Sequence, residues 1–116
     1  MNFDEVDEII ADLITEGFIN EERFAINYAG GKFRLKKWGK IKIENGLRLL
    51  GLTDYCIQKG LDEIDSEDYL KTASMILLRK FGSLEGSVTI KKEKAKRFIA
   101  AKGYEYELIN KLLQEY

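Results

Sequence analysis

The side chains of this chain most suited to binding a ligand are cations, and they lie in two stretches of the sequence. The two sets are Arg34, Lys36, Lys37, Lys40 and Lys42, and then Lys91, Lys92, Lys94, Lys96 and Arg97. Each contact between such a cation and a phosphate adds affinity that does not depend on base sequence, so the two sets indicate an anionic partner. Trp38, with lysines on both sides, is a candidate to stack on a base or to anchor an interface.

Both features also have an ordinary structural interpretation. Clustered lysines and arginines are usually a solvated helix face, and here acidic and basic blocks alternate along the chain, which could serve contacts between successive repeats. Trp38 could simply pack at the start of a helix. The sequence leaves these alternatives open.

Catalysis and metal binding find little support in the composition. The chain has one cysteine, Cys56, and no histidine, which excludes a disulfide framework, a Cys/His zinc site and catalysis by imidazole. No nucleophile, base and orienting group lie at a recognisable spacing, so we expect no enzyme activity, no cofactor and no small-molecule substrate. Cys56 lies beside Ile57 on a short amphipathic segment, and we interpret it as a small buried hydrophobe.

The elements that must position the cations are predicted to be helices. The 116-residue chain has no proline and is dominated by Leu, Ile, Ala, Lys and Glu, which favours an all-α fold. Residues Lys32 to Gly51 are predicted to form one basic helix that ends at Gly51, because glycine takes the left-handed conformation without a Cβ penalty. A second basic helix is predicted from about Thr89 to Lys102.

Capping and breaking residues predict the remaining boundaries. A first helix carries an apolar stripe and ends at Gly17-Phe18, Asn20 and Thr53 are placed to cap later helices, and Asp65 or Ser66 caps another. The Gly30-Gly31 pair predicts a break or bend, since each glycine costs roughly 1 kcal/mol in a helix interior. The apolar stripe of the first helix comprises Val6, Ile9, Ile10, Leu13 and Ile14.

Two segments of the chain match each other. Superimposing Gly103 on Gly51 pairs four apolar positions, namely Ile109 with Ile57, Leu113 with Leu61, Ile99 with Leu47 and Ala95 with Ile43. The match predicts tandem three-helix repeats in an elongated, curved helical array, with repeats at 18–64 and 65–116. Residues 1–17 are then expected to be the last helix of a preceding repeat.

The arrangement resembles the RecX family, bacterial regulators of the RecA recombinase. The resemblance rests on three places: Gly17-Phe18-Ile19-Asn20-Glu21-Glu22-Arg23-Phe24-Ala25; Trp38-Gly39-Lys40-Ile41-Lys42-Ile43 with Leu47 and Gly51; and Lys94, Phe98, Gly103-Tyr104 and Ile109. The second and third places are similar to the second and third repeats of the family. The chain departs from the family in showing only the last helix of a first repeat, and in its Gly30-Gly31 pair.

The resemblance implies a non-enzymatic regulator that lies along the RecA filament on single-stranded DNA and suppresses ATP hydrolysis and strand exchange. The alternatives are a stand-alone helical DNA-binding module and a protein-docking helical scaffold. No apolar run reaches the length of a membrane span, and the N-terminus is acidic where a signal peptide would be basic. We therefore expect no membrane partner and a cytoplasmic location.

Overall fold

The computed structural model describes residues 3 to 116, and within that range the chain forms seven α-helices and no strand. The all-α prediction is therefore confirmed. The molecule is elongated, with extents of 53 × 28 × 20 Å. Its helices are α1 (Glu5–Thr15), α2 (Glu21–Lys36), α3 (Lys40–Leu49), α4 (Asp54–Asp62), α5 (Ser66–Ser83), α6 (Val88–Ala101) and α7 (Tyr106–Leu113).

Short polar side chains begin most of these helices. Asn20 accepts a hydrogen bond from the Arg23 N–H (3.0 Å), and Thr53 accepts one from the Cys56 N–H (3.3 Å), so both predicted caps are confirmed. Asp65, rather than Ser66, caps α5. Such caps satisfy amide groups that have no partner inside the helix.

Left-handed glycines end three helices. Gly17, Gly51 and Gly103 have φ angles of 78°, 90° and 98°. After each glycine the next N–H bonds back to a carbonyl five residues earlier, as in Phe18 to Leu13 (2.8 Å), which is the Schellman arrangement. The predicted stops at Gly17 and Gly51 are confirmed, and Gly103 ends α6 in the same way.

The Gly30-Gly31 pair does not interrupt α2, so the predicted break is wrong. The helix continues to Lys36, with Ala25, Ala29 and Phe33 buried along one face. The packing of this face outweighs the roughly 1 kcal/mol that each glycine costs in a helix.

The stretch from Lys32 to Gly51 is not one helix, and that prediction is also wrong. α2 ends at Lys36 and α3 begins at Lys40. Between them Lys37 takes a left-handed conformation (φ 59°), and the Trp38 N–H bonds back to the Lys32 carbonyl (3.2 Å). A lysine occupies the position that glycine usually fills, so the sequence carries no glycine signal for this turn.

The helices form two triplets, which we call the first triplet (α2 to α4) and the second triplet (α5 to α7). All eight residues paired by the Gly51–Gly103 superposition are buried, from 0 to 7% exposed, so the tandem three-helix prediction is confirmed. They belong to one continuous apolar core. The divisions of the chain at 17/18 and 64/65 stay a prediction.

α1 contributes little to that core. Ile14 is buried, but Val6 and Ile9 are 62% and 59% exposed. The predicted helix is thus present, and its apolar stripe is exposed at Val6 and Ile9 but half-buried at Ile10 and Leu13.

Candidate anion-binding surface

The two triplets meet where the end of α6 contacts the beginning of α3. The Gly39 N–H donates to the Lys102 carbonyl (2.7 Å), and the Ile41 N–H donates to the Gly103 carbonyl (3.0 Å). A Cβ on Gly39 would overlap the Gly103 backbone, so a side chain cannot be accommodated there. Glycine at both positions permits this approach of backbone to backbone.

Two tyrosines of the second triplet complete this junction. The Tyr69 hydroxyl accepts from the Lys40 N–H (2.9 Å) and donates to the Glu105 carboxylate, while the Tyr104 hydroxyl donates to the Lys37 carbonyl (3.0 Å). Their rings stack with centroids 5.1 Å apart. Burial raises the pKa of both phenols, so each hydroxyl keeps the proton that it donates.

The junction replaces a cap for α3. Gly39, the N-cap residue, has no side chain, and no acid lies in the first turn. The amide groups of Gly39, Lys40 and Ile41 are all bonded to the second triplet instead. The carbonyls at the negative end of α6 also offset the unfavourable position of Lys40 and Lys42 at the positive end of α3.

The first set of predicted cations lies around this junction. Arg34 and Lys36 are exposed in the last turn of α2, where the helix dipole favours positive charge. The Lys37 ammonium donates to the Arg34 carbonyl (3.0 Å). Lys40 and Lys42 are half-buried, and the Lys40 Nζ lies 4.9 Å from the centroid of the Tyr69 ring.

Trp38 lies in the turn between α2 and α3. Its side chain is half-buried and packs against the core. The Nζ atoms of Lys32 and Lys42 lie 4.9 and 4.8 Å from its ring centroid, within the range of cation–π attraction. Trp38 therefore packs and fixes two ammonium groups, and its contact with a base stays a prediction.

The second set of cations surrounds α6 rather than sharing one face. Ala95 and Ile99 mark the buried side of the helix. The Lys91 Nζ lies 4.5 Å from the centroid of the Phe81 ring and the Lys96 Nζ 5.7 Å from that of Tyr106. Lys92 is half-buried, whereas Lys94 and Arg97 are exposed and lie three residues apart on the outer face.

Acidic side chains do not neutralise these cations. Within residues 3 to 116, the ion pairs shorter than 4.0 Å both involve Arg48, which pairs with Glu44 (3.6 Å) and Asp54 (3.0 Å). None of the ten predicted cations takes part in them. Their positive charge is therefore not cancelled by internal ion pairs and can attract anions from solution.

The two sets form separate patches, and the first includes a basic residue that the sequence pattern did not identify. Lys42 lies against Gly103, so the first patch continues to Lys102 at the end of α6. Lys91 precedes Lys102 by eleven residues, which at 1.5 Å per residue is roughly 16 Å along the helix. No spacing signal in the sequence links Lys102 to Lys42, because their proximity arises from the junction.

In the part of the chain that the structure describes, no helix is long and apolar enough to cross a membrane. The same residues contain no cluster of three or more Cys, Asp or Glu side chains arranged to hold a metal ion.

Family models match both triplets. The model described as RecX, second three-helix domain, matches residues 20–61, and the model described as RecX, third three-helix domain, matches residues 67–113. The two matched segments follow each other along the chain in the same order as the domain names.

Named relatives agree with these matches. The regulatory protein RecX of Clostridium acetobutylicum is 29% identical over 115 residues, and that of Clostridium perfringens (strain SM101) is 30% identical over 114. The RecX of Chlorobium phaeobacteroides is 28% identical over 110 residues, which is 71% of its length. The chain spans about half the length of the two clostridial relatives, 53% in each case.

A solved structure has the same fold. The crystal structure of RecX from Lactobacillus salivarius superimposes with a TM-score of 0.77 and covers 98% of this chain and 75% of its own. At 23% identity this likeness concerns the fold alone.

Proposed function

The chain belongs to the RecX family, and from this premise we propose that it is a non-enzymatic regulator of the RecA recombinase. In this proposal it binds the RecA filament on single-stranded DNA, in the cytoplasm, and inhibits ATP hydrolysis and strand exchange during recombinational repair. Catalysis resides in the partner. The observation that carries the proposal is the match to two consecutive RecX domains, together with two basic patches that form no ion pair with an acid within residues 3 to 116.

The patches are suited to an extended, anionic partner. The proposed contacts to DNA phosphates or to acidic recombinase side chains are the cations described above together with Trp38. Exposed residues such as Lys94 and Arg97 can reach a partner without rearrangement. Lys40 and Lys42, held over aromatic rings, are positioned before binding, which lowers the entropy lost when contacts form.

The junction supplies the proposed mechanism of inhibition. Backbone hydrogen bonds and stacked tyrosines hold the two triplets at a fixed spacing along a 53 Å molecule. A rigid body of this length that lies in a filament groove contacts more than one protomer. It thereby opposes the relative movements of protomers that ATP turnover requires.

The first experiment measures ATP hydrolysis by RecA on single-stranded DNA as the protein is added. We expect the rate to fall as the protein occupies the filament. An unchanged rate at saturating protein would contradict the proposal.

A second experiment tests the second patch. Reversing the charge of Lys91, Lys92, Lys94, Lys96 and Arg97 should weaken inhibition while helix content by circular dichroism is retained. The Lys94→Glu/Arg97→Glu pair should account for most of this loss, because these two side chains are the exposed ones on the outer face of α6. The matched control is Lys71→Glu/Lys111→Glu, which reverses two exposed lysines outside both patches.

The same variants separate the alternative functions. A gel shift with duplex DNA and no recombinase would favour a stand-alone DNA-binding module if binding is tight and is lost in the Lys94→Glu/Arg97→Glu variant. A protein that responds to neither DNA nor RecA would be a docking scaffold. Binding that appears only with RecA present is the result expected here.

A further inference from the structure

A groove in the second triplet borders the first patch, but most of its lining residues lie outside both predicted sets. It runs between α5 and α6 and encloses about 480 Å³. Met75, Ile76 and Phe98 supply its apolar wall, and Arg79, Lys80 and Lys102 supply cations. Met75 is 58% exposed and Phe98 37% exposed, so the apolar wall is open to solvent.

The charge of this groove has one sign. Lys37 also lines it, which brings the cations to four, and no acidic side chain lines it. The Nζ atoms of Lys80 and Lys102 lie 4.5 and 5.7 Å from the centroid of the Phe98 ring. Two ammonium groups are thus held beside one accessible aromatic ring, with no ion pair to either in the described residues.

The first triplet has a cavity at the position equivalent to this groove, and residues of α1 line it. A superposition of α5 on α2 that pairs the buried Ala73 with the buried Ala25, allowing a few extra loop residues in the second repeat, places Ile76 on Tyr28 and Lys80 on Lys32. Both Tyr28 and Lys32 line a cavity of about 300 Å³. The other side of that cavity is formed by Phe3, Asp4 and Asp7, at the acidic start of α1. An aromatic side chain and carboxylates from a helix start therefore face the equivalent lysine.

We propose that the groove of the second triplet is a docking site for an acidic amphipathic helix of another protein. An apolar side chain of that helix contacts Met75 and Phe98, and its carboxylates pair with Arg79, Lys80 and Lys102. Charge complementarity selects acids, because all four charged residues lining the groove are basic. The mainly apolar wall favours a peptide over a nucleic acid, whose phosphates would leave Met75 and Ile76 uncovered.

A second copy of this chain fits the groove less well. Its acidic helix, α1, already places Phe3, Asp4 and Asp7 against its own first triplet. The proposal does not rest on the function proposed above, since its test contains no recombinase and uses DNA only as a competitor.

The test uses a fluorescein-labelled synthetic peptide of residues 3 to 17 as the acidic amphipathic probe, titrated with the full chain and followed by fluorescence anisotropy. We expect saturable binding, weakened roughly tenfold or more by Arg79→Glu/Lys80→Glu, as the loss of two exposed charge pairs and their replacement by repulsion predicts. Phe98→Ala should also weaken it, since it removes the apolar contact and leaves the cations. A peptide with asparagine and glutamine in place of its acids should not bind.

The control reverses Lys71 and Lys111, which lie outside the groove, and should leave the affinity unchanged. Equal loss in the control and in the groove variant would overturn the proposal, as would unchanged binding in the groove variant. Displacement of the peptide by an oligothymidylate at equal concentration would assign the groove to nucleic acid instead. Concentration-dependent dimers in sedimentation that Arg79→Glu/Lys80→Glu abolishes would assign it to a second copy.

Discussion

The two triplets bury equivalent residues, but they differ in how closely their first and last helices approach each other. In the first triplet α2 and α4 pack along their lengths, and a Cβ on Gly60 would lie 2.6 Å from the Ala25 carbonyl oxygen. In the second, α6 packs against α5 and against α7, while α5 and α7 show no comparable approach. The superposition that pairs Gly51 with Gly103 places Leu112 where Gly60 stands, so the second triplet has no glycine at the position that permits this approach.

The same repeat pattern therefore gives two different helix packings. Close packing of α2 on α4 makes the first triplet a compact support for the junction and for Trp38. In the second triplet the groove along α5 and α6 is open to solvent, with Met75 and Phe98 accessible.

The largest expected effect comes from Gly39→Ala, which breaks the link between the compared triplets. The residue has an ordinary φ of −78°, so the penalty is steric overlap with Gly103 and not backbone strain. We expect a loss of about 3 to 4 kcal/mol, the size that a severe clash and broken hydrogen bonds produce.

Urea unfolding followed by circular dichroism and by Trp38 fluorescence checks this expectation. The two signals should coincide in the unaltered protein and separate in the variant, because the triplets no longer unfold together. Coincident transitions at unchanged stability would show that the junction does not couple the triplets.

Close packing in the first triplet is tested by Gly60→Ala. The added methyl group meets the Ala25 carbonyl, and overpacking of this kind costs about 2 to 3 kcal/mol. Gly31→Ala is the matched control, because nothing lies within 4 Å of a Cβ at that position of α2. Gly31→Ala should stabilise the protein by about 0.5 to 1 kcal/mol, because alanine has the higher helix propensity. If the urea midpoints of Gly60→Ala and Gly31→Ala shift in the same direction, close packing at Gly60 is contradicted.

A smaller effect is expected from Tyr69→Phe. The hydroxyl accepts from the Lys40 N–H and donates to Glu105, and its removal leaves the amide at the start of α3 without its partner. The expected loss is about 1 to 2 kcal/mol. Hydrogen exchange should show faster exchange at the Lys40 amide, while amides in the middle of α4 keep their protection.

The last effect appears only at alkaline pH and concerns the contact between α1 and the first triplet. Burial, and then the nearby charge of Asp7, raises the pKa of Tyr28 from 10 to about 12. The contribution of Tyr28 to stability is therefore fully present below pH 10. It falls as the pH rises from 10 to 12, because Tyr28 loses its proton in the unfolded chain before it does so in the folded protein. Tyr28→Phe should reduce part of this decline in stability, and Tyr69 and Tyr104 contribute to the remainder. If the free energy of unfolding of the variant has the same pH profile as that of the unaltered protein, the prediction is contradicted.

The sequence predicts local features of this fold and not those set by distant contacts. Asn20, Thr53 and the glycine stops act within one turn of their helices, so residue type alone identifies them. The continuity of α2 through Gly30-Gly31 depends on burial of Ala29 and Phe33 against other helices. The turn at Lys37 depends on hydrogen bonds from the second triplet, sixty or more residues later in the chain.

For the candidate surface too, the sequence predicts the local features but not those that distant contacts determine. The cations themselves are visible as a run of residue types, and the absence of acidic partners in the described chain agrees with their clustering. Their division into separate patches, the position of Lys42 against Gly103 and the groove beside Phe98 all come from how the triplets pack. No periodicity in a single segment encodes such a relation.

The start of α3 determines where this chain could be shortened. A fragment ending at residue 64 would retain α2 and α4, yet the amides of Gly39, Lys40 and Ile41 would lose the carbonyls and hydroxyl that receive them. Its third helix would fray from that end and carry Lys40 and Lys42 with it. The boundary between repeats in the sequence is therefore a poor place to cut the protein, and truncated versions should extend at least through Glu105.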